Sequence, residues 1–339
     1  MCSCRFSDSL IVVTGSEGYL GRAVVRLLRA HHPRTLVTVD RRPAAGIDGV
    51  RHLQCDLSRA SDGQYLAEAL SGVAGEPLTL VHLAALFVKD FAARRQYTYG
   101  DYYRENVLAT QALADMMERL GREWRMVFTS TAFLYHQGRG SGQADPLEAY
   151  GRSKLEAERF IEELPVPWTI LRPARVLGLS RLASSGLAQA APEVLHHELV
   201  RQLDAGEIPF DIVSTLMRDA LRQKRLRIEG ADTTRSYLHL EDLAAAVLRC
   251  LAMDEARGEK YDLSASEPTD LAAVGREVVA ALSRWGIPCE LETQELPGRD
   301  VVVPETAGMS GWRPACDPSI AVIRRATEEY AAAIAAGLR

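Results

Sequence analysis

Short apolar runs alternate with amphipathic segments over the first 170 residues, and this alternation predicts a parallel sheet covered by helices. The apolar runs predict strands at Leu10–Thr14, Thr35–Asp40, Val50–Cys55, Leu78–Leu83, Arg125–Ser130 and Trp168–Leu171. Helical periodicity between them predicts helices at Leu20–Ala30, Tyr102–Leu120 and Ala149–Leu164. The pattern therefore indicates an α/β fold with a doubly wound parallel sheet.

The regular alternation ends after Pro173. Further helices are predicted at Glu193–Leu203, Val213–Gln223, Asp242–Met253, Thr269–Arg284 and Pro318–Ala336, with a short strand at Lys260–Leu263. These segments suggest a smaller lobe assembled from separate parts of the chain. We expect residues 1–172 to form the first domain, with 236–265 returning to it, and residues 173–235 and 266–339 to form the second lobe.

Composition excludes several classes of partner. The chain has 339 residues, with 40 Lys and Arg against 45 Asp and Glu and a net charge of −5. Binding to nucleic acid or to a membrane surface needs a concentrated positive field, which this balance does not suggest. No apolar run approaches the roughly 18 residues of a spanning helix, and the N-terminus lacks an apolar signal region. The six cysteines are scattered, so we expect free thiols, no metal site and a cytoplasmic location.

A glycine-rich turn joins the first predicted strand to the first predicted helix. Its glycines are Gly15, which permits a tight turn, Gly18, which admits a pyrophosphate, and Gly21, which lets the helix pack closely on the strand. The anion would meet the free N–H groups and the positive dipole end of the helix, near Tyr19 and Leu20. With this strand before it and helix after it, the turn predicts a Rossmann-type dinucleotide site.

An acidic residue follows at the end of the second predicted strand. Asp40 lies 19 residues after Gly21, where a carboxylate accepts hydrogen bonds from ribose hydroxyls and repels a 2′-phosphate. This favours NAD over NADP, although Arg41 and Arg42 keep NADP as an alternative. Asp56 and Leu57 are placed to touch the adenine, with helix capping by Asp56 as the alternative.

A phenol and an ammonium group are spaced for one helix face. Tyr150 and Lys154 stand at i and i+4. Tyrosine has an ordinary pKa of about 10, and a lysine cation and an oxidised nicotinamide would both favour its ionised form. A purely structural pair is the alternative. The pair follows a nucleotide-binding pattern and a strand ending in hydroxyls, Thr129 to Thr131, which favours acid/base catalysis.

Together these motifs resemble the extended short-chain dehydrogenase/reductases, in particular the NAD-dependent epimerase/dehydratase (nucleotide-sugar epimerase) family. The matching segments are Thr14–Gly21, Asp56–Leu57, His82–Ala85, Asn106–Val107, Thr129–Thr131, Tyr150–Lys154, Leu171–Pro173, Arg235–Asp242 and Gly311–Pro314. The resemblance implies an NAD-binding first domain, a substrate-binding lobe and a homodimer that pairs the helices near 102–120 and 149–164.

The resemblance also assigns roles to residues. Thr131 would hydrogen-bond the substrate oxygen, Tyr150 would be the acid/base, and Lys154 would bind the nicotinamide ribose and tune Tyr150. The cofactor cleft would further be lined by Leu83, Ala84, Ala85, Asn106 and Pro173. Arg235 and Arg299 would hold the phosphates of a nucleotide-linked sugar. Arg175 replaces the family's usual asparagine, so that a cation would face the substrate, with a bridge to a carboxylate of the protein as the alternative.

The residues after Thr131 reduce the number of reactions that the family resemblance allows. Dehydratase and decarboxylase members of the family carry acids there, whereas this chain has Ala132 and Phe133. We therefore expect an epimerase that acts on a nucleotide-linked sugar through a transient ketone. An NAD(P)-dependent reductase or dehydrogenase of a sugar or another ketone or alcohol is the alternative. A dinucleotide-sensing regulator without catalytic activity is a further one.

Overall fold

The computed structural model describes residues 9–31, 35–44, 49–73, 77–87, 96–135, 146–179, 211–253, 258–296, 302–303 and 308–337. These residues group into two compact units. Unit 1 comprises the described residues within Met1–Pro173, Leu243–Leu263 and Glu305–Arg313. Unit 2 comprises those within Ala174–Asp242, Ser264–Pro304 and Pro314–Arg339.

The strands and helices are numbered in chain order. The strands are β1 (Leu10–Thr14), β2 (Leu36–Asp40), β3 (Arg51–Gln54), β4 (Leu78–His82), β5 (Trp124–Thr129), β6 (Trp168–Pro173), β7 (Arg175–Leu177), β8 (Arg225–Glu229), β9 (Thr234–Arg235), β10 (Tyr237–His239), β11 (Glu259–Leu263), β12 (Thr269–Asp270) and β13 (Glu290–Gln294). The α-helices are α1 (Tyr19–His31), α2 (Ala60–Ser71), α3 (Tyr99–Tyr103), α4 (Ala109–Arg119), α5 (Pro146–Glu162), α6 (Ile212–Gln223), α7 (Leu240–Ala252), α8 (Leu271–Arg284) and α9 (Ser319–Gly337).

Unit 1 is built on a parallel sheet with the described strand order β11-β6-β5-β4-β1-β2-β3. The central strands β1, β2, β4 and β5 are buried throughout, as strands covered on both faces must be. The order reverses between β1 and β4, and in such sheets ligands bind at the carboxyl ends of the strands beside this reversal. The predicted α/β fold class is confirmed.

The structure of unit 1 differs from the prediction at two places: helix α2 was not predicted, and one predicted helix is divided by a π-helical turn. Helix α2 has an interior glycine, Gly63, and its buried side chains Leu66 and Leu70 are confined to its second half, which weakens the apolar period. The helix predicted at Tyr102–Leu120 consists of α3, a π-helical turn at Arg104–Leu108, and α4. A π turn widens the helix locally and is common at functional sites.

Unit 2 is organised around its own apolar core. The core is contributed mainly by α6, α8 and α9, including Met217, Val274 and Ile323. Its described strands pair two by two: β7 with β10 and β8 with β13 in parallel, and β9 with β12 antiparallel. Most of these strands are too short for a periodic signal, so only the helices of this unit were predicted. The helix predicted at Glu193–Leu203 lies outside the described residues.

Neither a membrane span nor a metal cluster is found within the described ranges. No helix there has the length and apolar character to cross a membrane. No group of three or more His, Cys, Asp and Glu side chains there could hold a metal ion. Of the cysteines, the described ones are free thiols: Cys55, Cys250, Cys289 and Cys316.

Candidate active site

The turn after β1 is shaped by backbone contacts that only glycine allows. Gly15 has a φ of +68°, and a Cβ there would lie 2.6 Å from the backbone nitrogen of Ala84. A Cβ on Gly21 would lie 2.1 Å from the carbonyl oxygen of Gly15. Because the turn closes this tightly, the chain enters α1 directly at Tyr19, and Leu20 follows in its first turn. No acidic residue occupies that turn, so its N–H groups remain suited to an anion.

A cleft opens beside this turn and collects many of the predicted cofactor residues. Among those predicted, it is lined by Gly15, Gly18, Asp40, Arg41, Asp56, Leu57, Leu83, Ala84 and Ala85. It is also lined by Arg42, Ser58, His82, Leu86 and Glu105, for which no lining role was predicted. These residues come from the carboxyl ends of β1 to β4 and from the π turn. The parallel sheet therefore brings together motifs that are far apart in sequence.

Asp40 lies in this cleft with its carboxylate already engaged. It accepts hydrogen bonds from the backbone nitrogens of Glu17 and Arg42, each at 2.9 Å. The Arg42 guanidinium donates to both carboxylate oxygens, from Nε to Oδ1 at 3.1 Å and from Nη2 to Oδ2 at 3.2 Å. Burial alone would raise the pKa of Asp40, but the hydrogen bonds and charge of Arg42 outweigh it, so the pKa is lowered. A ribose that hydrogen-bonds Asp40 would therefore compete with the Arg42 side chain.

Asp56 is held by a local turn. Its carboxylate accepts from the nitrogen of Ser58 at 3.1 Å and from the Ser58 hydroxyl at 2.7 Å. Burial opposes ionisation, but these bonds and the nearby cations Arg59 and Arg41 leave the pKa of Asp56 lowered. The N-cap of α2 is Arg59, so Asp56 does not cap that helix.

The chemistry of the donor groups fits a dinucleotide. Ser16 Oγ, Thr129 Oγ1 and Ser130 Oγ are buried hydroxyls without a hydrogen-bond partner among the described residues. Buried polar groups normally have partners. Ser16 belongs to the glycine turn, and Thr129 and Ser130 end the strand that leads to Thr131. The glycine turn, the N-terminus of α1 and the acid at Asp40 match the phosphate and ribose groups of NAD.

Tyr150 is the buried centre of the predicted catalytic group. Its side chain hydrogen-bonds Thr131. Its ring packs 4.8 Å from that of Phe87 and 6.3 Å from those of Tyr102 and Phe133, measured between centroids. Burial raises the pKa of Tyr150 above its ordinary value, Tyr102 adds to this, and the bond to Thr131 lowers it only in part. The protein's own groups thus keep this phenol protonated at neutral pH.

Lys154 follows one turn later on α5 and is also buried, with 1% exposure. Its Nζ lies 3.9 Å from the ring centroid of Phe128, a cation–π distance. Burial lowers the pKa of Lys154 to about 7, and the carboxylate of Glu158 opposes that change. The charge on this lysine is therefore sensitive to its immediate neighbours near neutral pH.

His82 links β1, β4 and α4 through its two ring nitrogens. Nδ1 lies 2.6 Å from the hydroxyl of Thr14, and Nε2 lies 2.9 Å from that of Thr110. Because Thr110 donates its proton to the carbonyl of Asn106 at 2.8 Å, it accepts from Nε2, and Nδ1 accepts from Thr14. Burial and the charge of Lys154 lower the pKa of His82 to about 3. His82 is therefore a neutral structural link.

Asn106, on the π turn, positions both sides of the site. Its Oδ1 accepts from the nitrogen of Leu86 at 2.6 Å, and its Nδ2 donates to Ser153 Oγ at 2.9 Å. Ser153 in turn donates to the carbonyl of Tyr150 at 2.7 Å. The amide of Asn106 thus joins the loop after β4 to the helix that carries Tyr150 and Lys154. The family motif singled out Asn106, but no local pattern showed these contacts.

The remaining predicted residues lie elsewhere. Pro173 is buried at the end of β6 in unit 1. Arg175 begins β7 in unit 2, and its register partner on β10 is Tyr237. Arg235 ends β9, two residues before Tyr237 begins β10. Arg299 lies outside the described residues.

Tyr237 was not predicted, and its environment singles it out. Its side chain is completely buried, and its hydroxyl has no hydrogen-bond partner in the described part of the chain. Burial raises the pKa of Tyr237, while the nearby cations Arg175 and Arg235 lower it and Asp211 and Asp270 raise it. Unit 2 therefore places two guanidinium groups around one buried phenol.

Comparisons with known proteins identify the family of the chain. The model of the NAD dependent epimerase/dehydratase family matches residues 11–264. A dTDP-L-rhamnose 4-epimerase of Burkholderia thailandensis is 25% identical over 298 residues, which cover 80% of each chain.

Two solved structures share the fold over nearly the whole chain. MoeE5 in complex with UDP-glucuronic acid and NAD is 23% identical with a TM-score of 0.66, covering 95% of this chain and 97% of that one. A UDP-glucose 4-epimerase of Thermotoga maritima with UDP-glucose is 16% identical with a TM-score of 0.65, covering 94% and 98%.

Proposed function

The chain belongs to the NAD dependent epimerase/dehydratase family, and from this membership we propose that it inverts one carbinol carbon of a nucleotide-linked sugar through a transient ketone. As a member it is an NAD-dependent enzyme, and the family resemblance described above is confirmed. The observation that carries the proposal is the buried Tyr150 hydroxyl, hydrogen-bonded to Thr131 and followed one helical turn later by the buried Lys154.

The residues that would hold the cofactor follow from the cleft. We assign the pyrophosphate to the turn of Gly15, Gly18 and Gly21 with Tyr19 and Leu20, and the adenosine to Asp40, Arg41, Asp56 and Leu57. The remaining cofactor contacts are assigned to Leu83, Ala84, Ala85, Asn106, Tyr150, Lys154 and Pro173. When bound, NAD supplies a group that takes up and returns a hydride, and its oxidised nicotinamide carries a positive charge.

The protein's own part is to move one proton at the phenolic oxygen of Tyr150. That oxygen accepts the proton of the sugar hydroxyl as the carbinol is oxidised and returns it as the ketone is reduced. Because burial keeps Tyr150 protonated by itself, a positive charge at Lys154 is needed to make the phenolate accessible. Thr131 holds the substrate oxygen through its hydroxyl.

The side chains after Thr131 support epimerisation over elimination. Ala132 is buried, and Phe133 packs edge-on against Tyr150. Neither side chain can protonate a leaving hydroxyl, which dehydration requires. These residues would therefore favour return of the hydride to the same carbon, from the other face of the ketone.

The substrate class is a sugar linked to a nucleotide by a diphosphate. Arg235 and Arg175, which surround the buried Tyr237, supply guanidinium groups that bind phosphate oxygens well, and Arg299 is the third arginine of the proposal. The relative named a dTDP-L-rhamnose 4-epimerase supports this class.

A reductase or dehydrogenase remains the second candidate, because Arg175 stands where the family usually has asparagine. Addition of NAD(P)H distinguishes the two: turnover of an epimerase does not depend on it, whereas a reductase consumes it. We further propose a cytoplasmic homodimer that pairs α3–α4 and α5 of each subunit. Light scattering during size-exclusion chromatography tests the subunit number.

The direct test combines binding and turnover. Nucleotide sugars carrying dTDP or UDP are screened by thermal shift, since a bound ligand stabilises the folded state by mass action. Those that bind are incubated with the enzyme and followed by NMR. We expect two epimers to interconvert without net change in NAD, whereas stoichiometric release of NADH would contradict the proposal.

A further inference from the structure

Glu158 is a carboxylate buried where a charge is expensive. Its side chain has 0% exposure, and it stands one helical turn after Lys154 on α5. Moving an ion out of water costs several kcal/mol unless partners compensate. The partners of Glu158 therefore indicate what this charge does.

Arg172 is the first partner, reaching Glu158 from β6. Its Nε donates to the two carboxylate oxygens at 3.0 and 3.2 Å, and one Nη donates at 2.5 Å. The other Nη donates to the Tyr135 hydroxyl at 3.0 Å, and that hydroxyl donates to Asp262 on β11 at 2.6 Å. The chain of contacts joins α5 to the sheet and to the turn that follows Thr131.

Lys154 is the second group that feels Glu158. The carboxylate of Glu158 favours the protonated form of Lys154 against the effect of burial. On the other sides, β4 presents the neutral His82 and β5 presents the ring of Phe128, while Tyr150 stands one helical turn earlier on α5. Glu158 is thus the negative group that acts on the lysine from within the described residues around it.

We propose that Glu158 is a positioning residue for the reaction: its buried carboxylate keeps Lys154 a cation one turn beyond Tyr150, and Arg172 limits how much of that negative charge reaches the lysine. The inference rests on the proposed function, in which the cation at Lys154 makes the phenolate of Tyr150 accessible. No bond is made or broken at Glu158. Its effect is to change the protonation of another group.

The proposal makes opposite predictions for the two members of one ion pair. In E158Q the lysine loses its negative neighbour and faces Arg172, so it should release its proton at lower pH, by about one unit or more. In R172Q the full charge of Glu158 acts on Lys154, which should release its proton at higher pH. If the Glu158–Arg172 pair only held α5 against the sheet, the two variants would not shift the lysine titration in opposite directions.

Side-chain 15N NMR of lysine tests this independently of turnover, with K154M assigning the resonance. The pH dependence of kcat/KM is measured alongside, and its alkaline limb should move down in E158Q and up in R172Q. E156Q is the matched control: this glutamate lies on the same helix but pairs with Arg152 and Tyr99, so neither titration should move. E158D keeps the carboxylate and should restore the wild-type titration if E158Q does not fold.

An E158Q whose lysine titration is unchanged or moves to higher pH, or an R172Q whose titration is unchanged or moves to lower pH, would overturn the proposal. If the NMR titrations move in opposite directions while no epimer forms from any nucleotide sugar, the electrostatic assignment stands and the proposed function fails.

Discussion

The two ends of the proposed cofactor site are built by different means. The turn after β1 is made of backbone contacts and needs side chains to be absent, as the close approaches at Gly15 and Gly21 require. The proposed catalytic face of α5 is made of buried side chains held by partners from other strands and helices, such as Asn106 and Arg172. The first end is specified by a few neighbouring residues, whereas the second depends on contacts between distant ones. Variants at the two ends should therefore fail in different ways.

The largest expected effect separates chemistry from binding. Tyr150→Phe removes the phenolic oxygen but keeps the ring among Phe87, Tyr102 and Phe133. Loss of an acid/base group lowers the rate by about 10²- to 10⁴-fold, while NAD content should be unchanged. Both are measured on the purified protein, by epimer interconversion and by absorbance of released cofactor. Tyr99→Phe, a change at a more exposed tyrosine of α3, is the control and should keep its activity; a Tyr150→Phe enzyme of wild-type activity would contradict the assignment.

A substitution that opens the glycine turn after β1 should have the converse effect: it should weaken the binding of NAD before it affects the chemical step. Gly21→Ala places a methyl group 2.1 Å from the carbonyl oxygen of Gly15, so the turn must open at a cost of about 1–3 kcal/mol. The variant should be purified without NAD and should melt at a lower temperature. Gly63→Ala on α2 is the control, because no atom lies within 4 Å of its added methyl, and it should be neutral or stabilising. Full NAD content in Gly21→Ala would show that the turn does not hold the pyrophosphate.

Asn106→Ala should disturb both ends of the proposed cofactor site, since Asn106 connects the loop after β4 to α5. The change leaves the nitrogen of Leu86 without its acceptor and removes the donor to Ser153 Oγ, at a cost of about 1–3 kcal/mol. We expect a lower melting temperature and roughly tenfold lower activity, with partial loss of NAD. A variant that loses activity but no stability would instead indicate that Asn106 contacts the reacting groups.

The last effect is a change in the pH dependence of stability rather than in activity. The pKa of Lys154 is about 7 in the folded chain, against an ordinary value of 10.5. Between these values the unfolded chain binds the extra proton, so the free energy of unfolding rises with pH through this window. Lys154→Met should remove that part of the rise, whereas Lys260→Met, at a partly exposed lysine, should keep it. Denaturant unfolding at several pH values measures the slopes; equal slopes in wild type and Lys154→Met would show that the buried lysine is not perturbed.

The same contrast explains what could be predicted from the sequence. The strands of the sheet, the glycine turn and the acids Asp40 and Asp56 are encoded in runs of a few residues, and the structure collects several of them in one cleft. The bond of Asn106 to Ser153 and the pairing of Glu158 with Arg172 join residues that no local pattern relates. The π turn at Arg104–Leu108 reads as ordinary helix because its apolar spacing continues on both sides. The environment of Tyr237 could not be predicted, because it depends on the pairing of β10 with β7, which places Arg175 opposite Tyr237.

The central claim is that Tyr150 exchanges only the hydroxyl proton of the sugar, while the hydrogen on the inverted carbon is never released to solvent. The most direct measurement is epimerisation in D2O, followed by NMR of the product. The account predicts a product epimer that carries no deuterium at the inverted carbon, with NAD unchanged at the end of the reaction. Deuterium at that carbon, or accumulation of NADH as product forms, would contradict it.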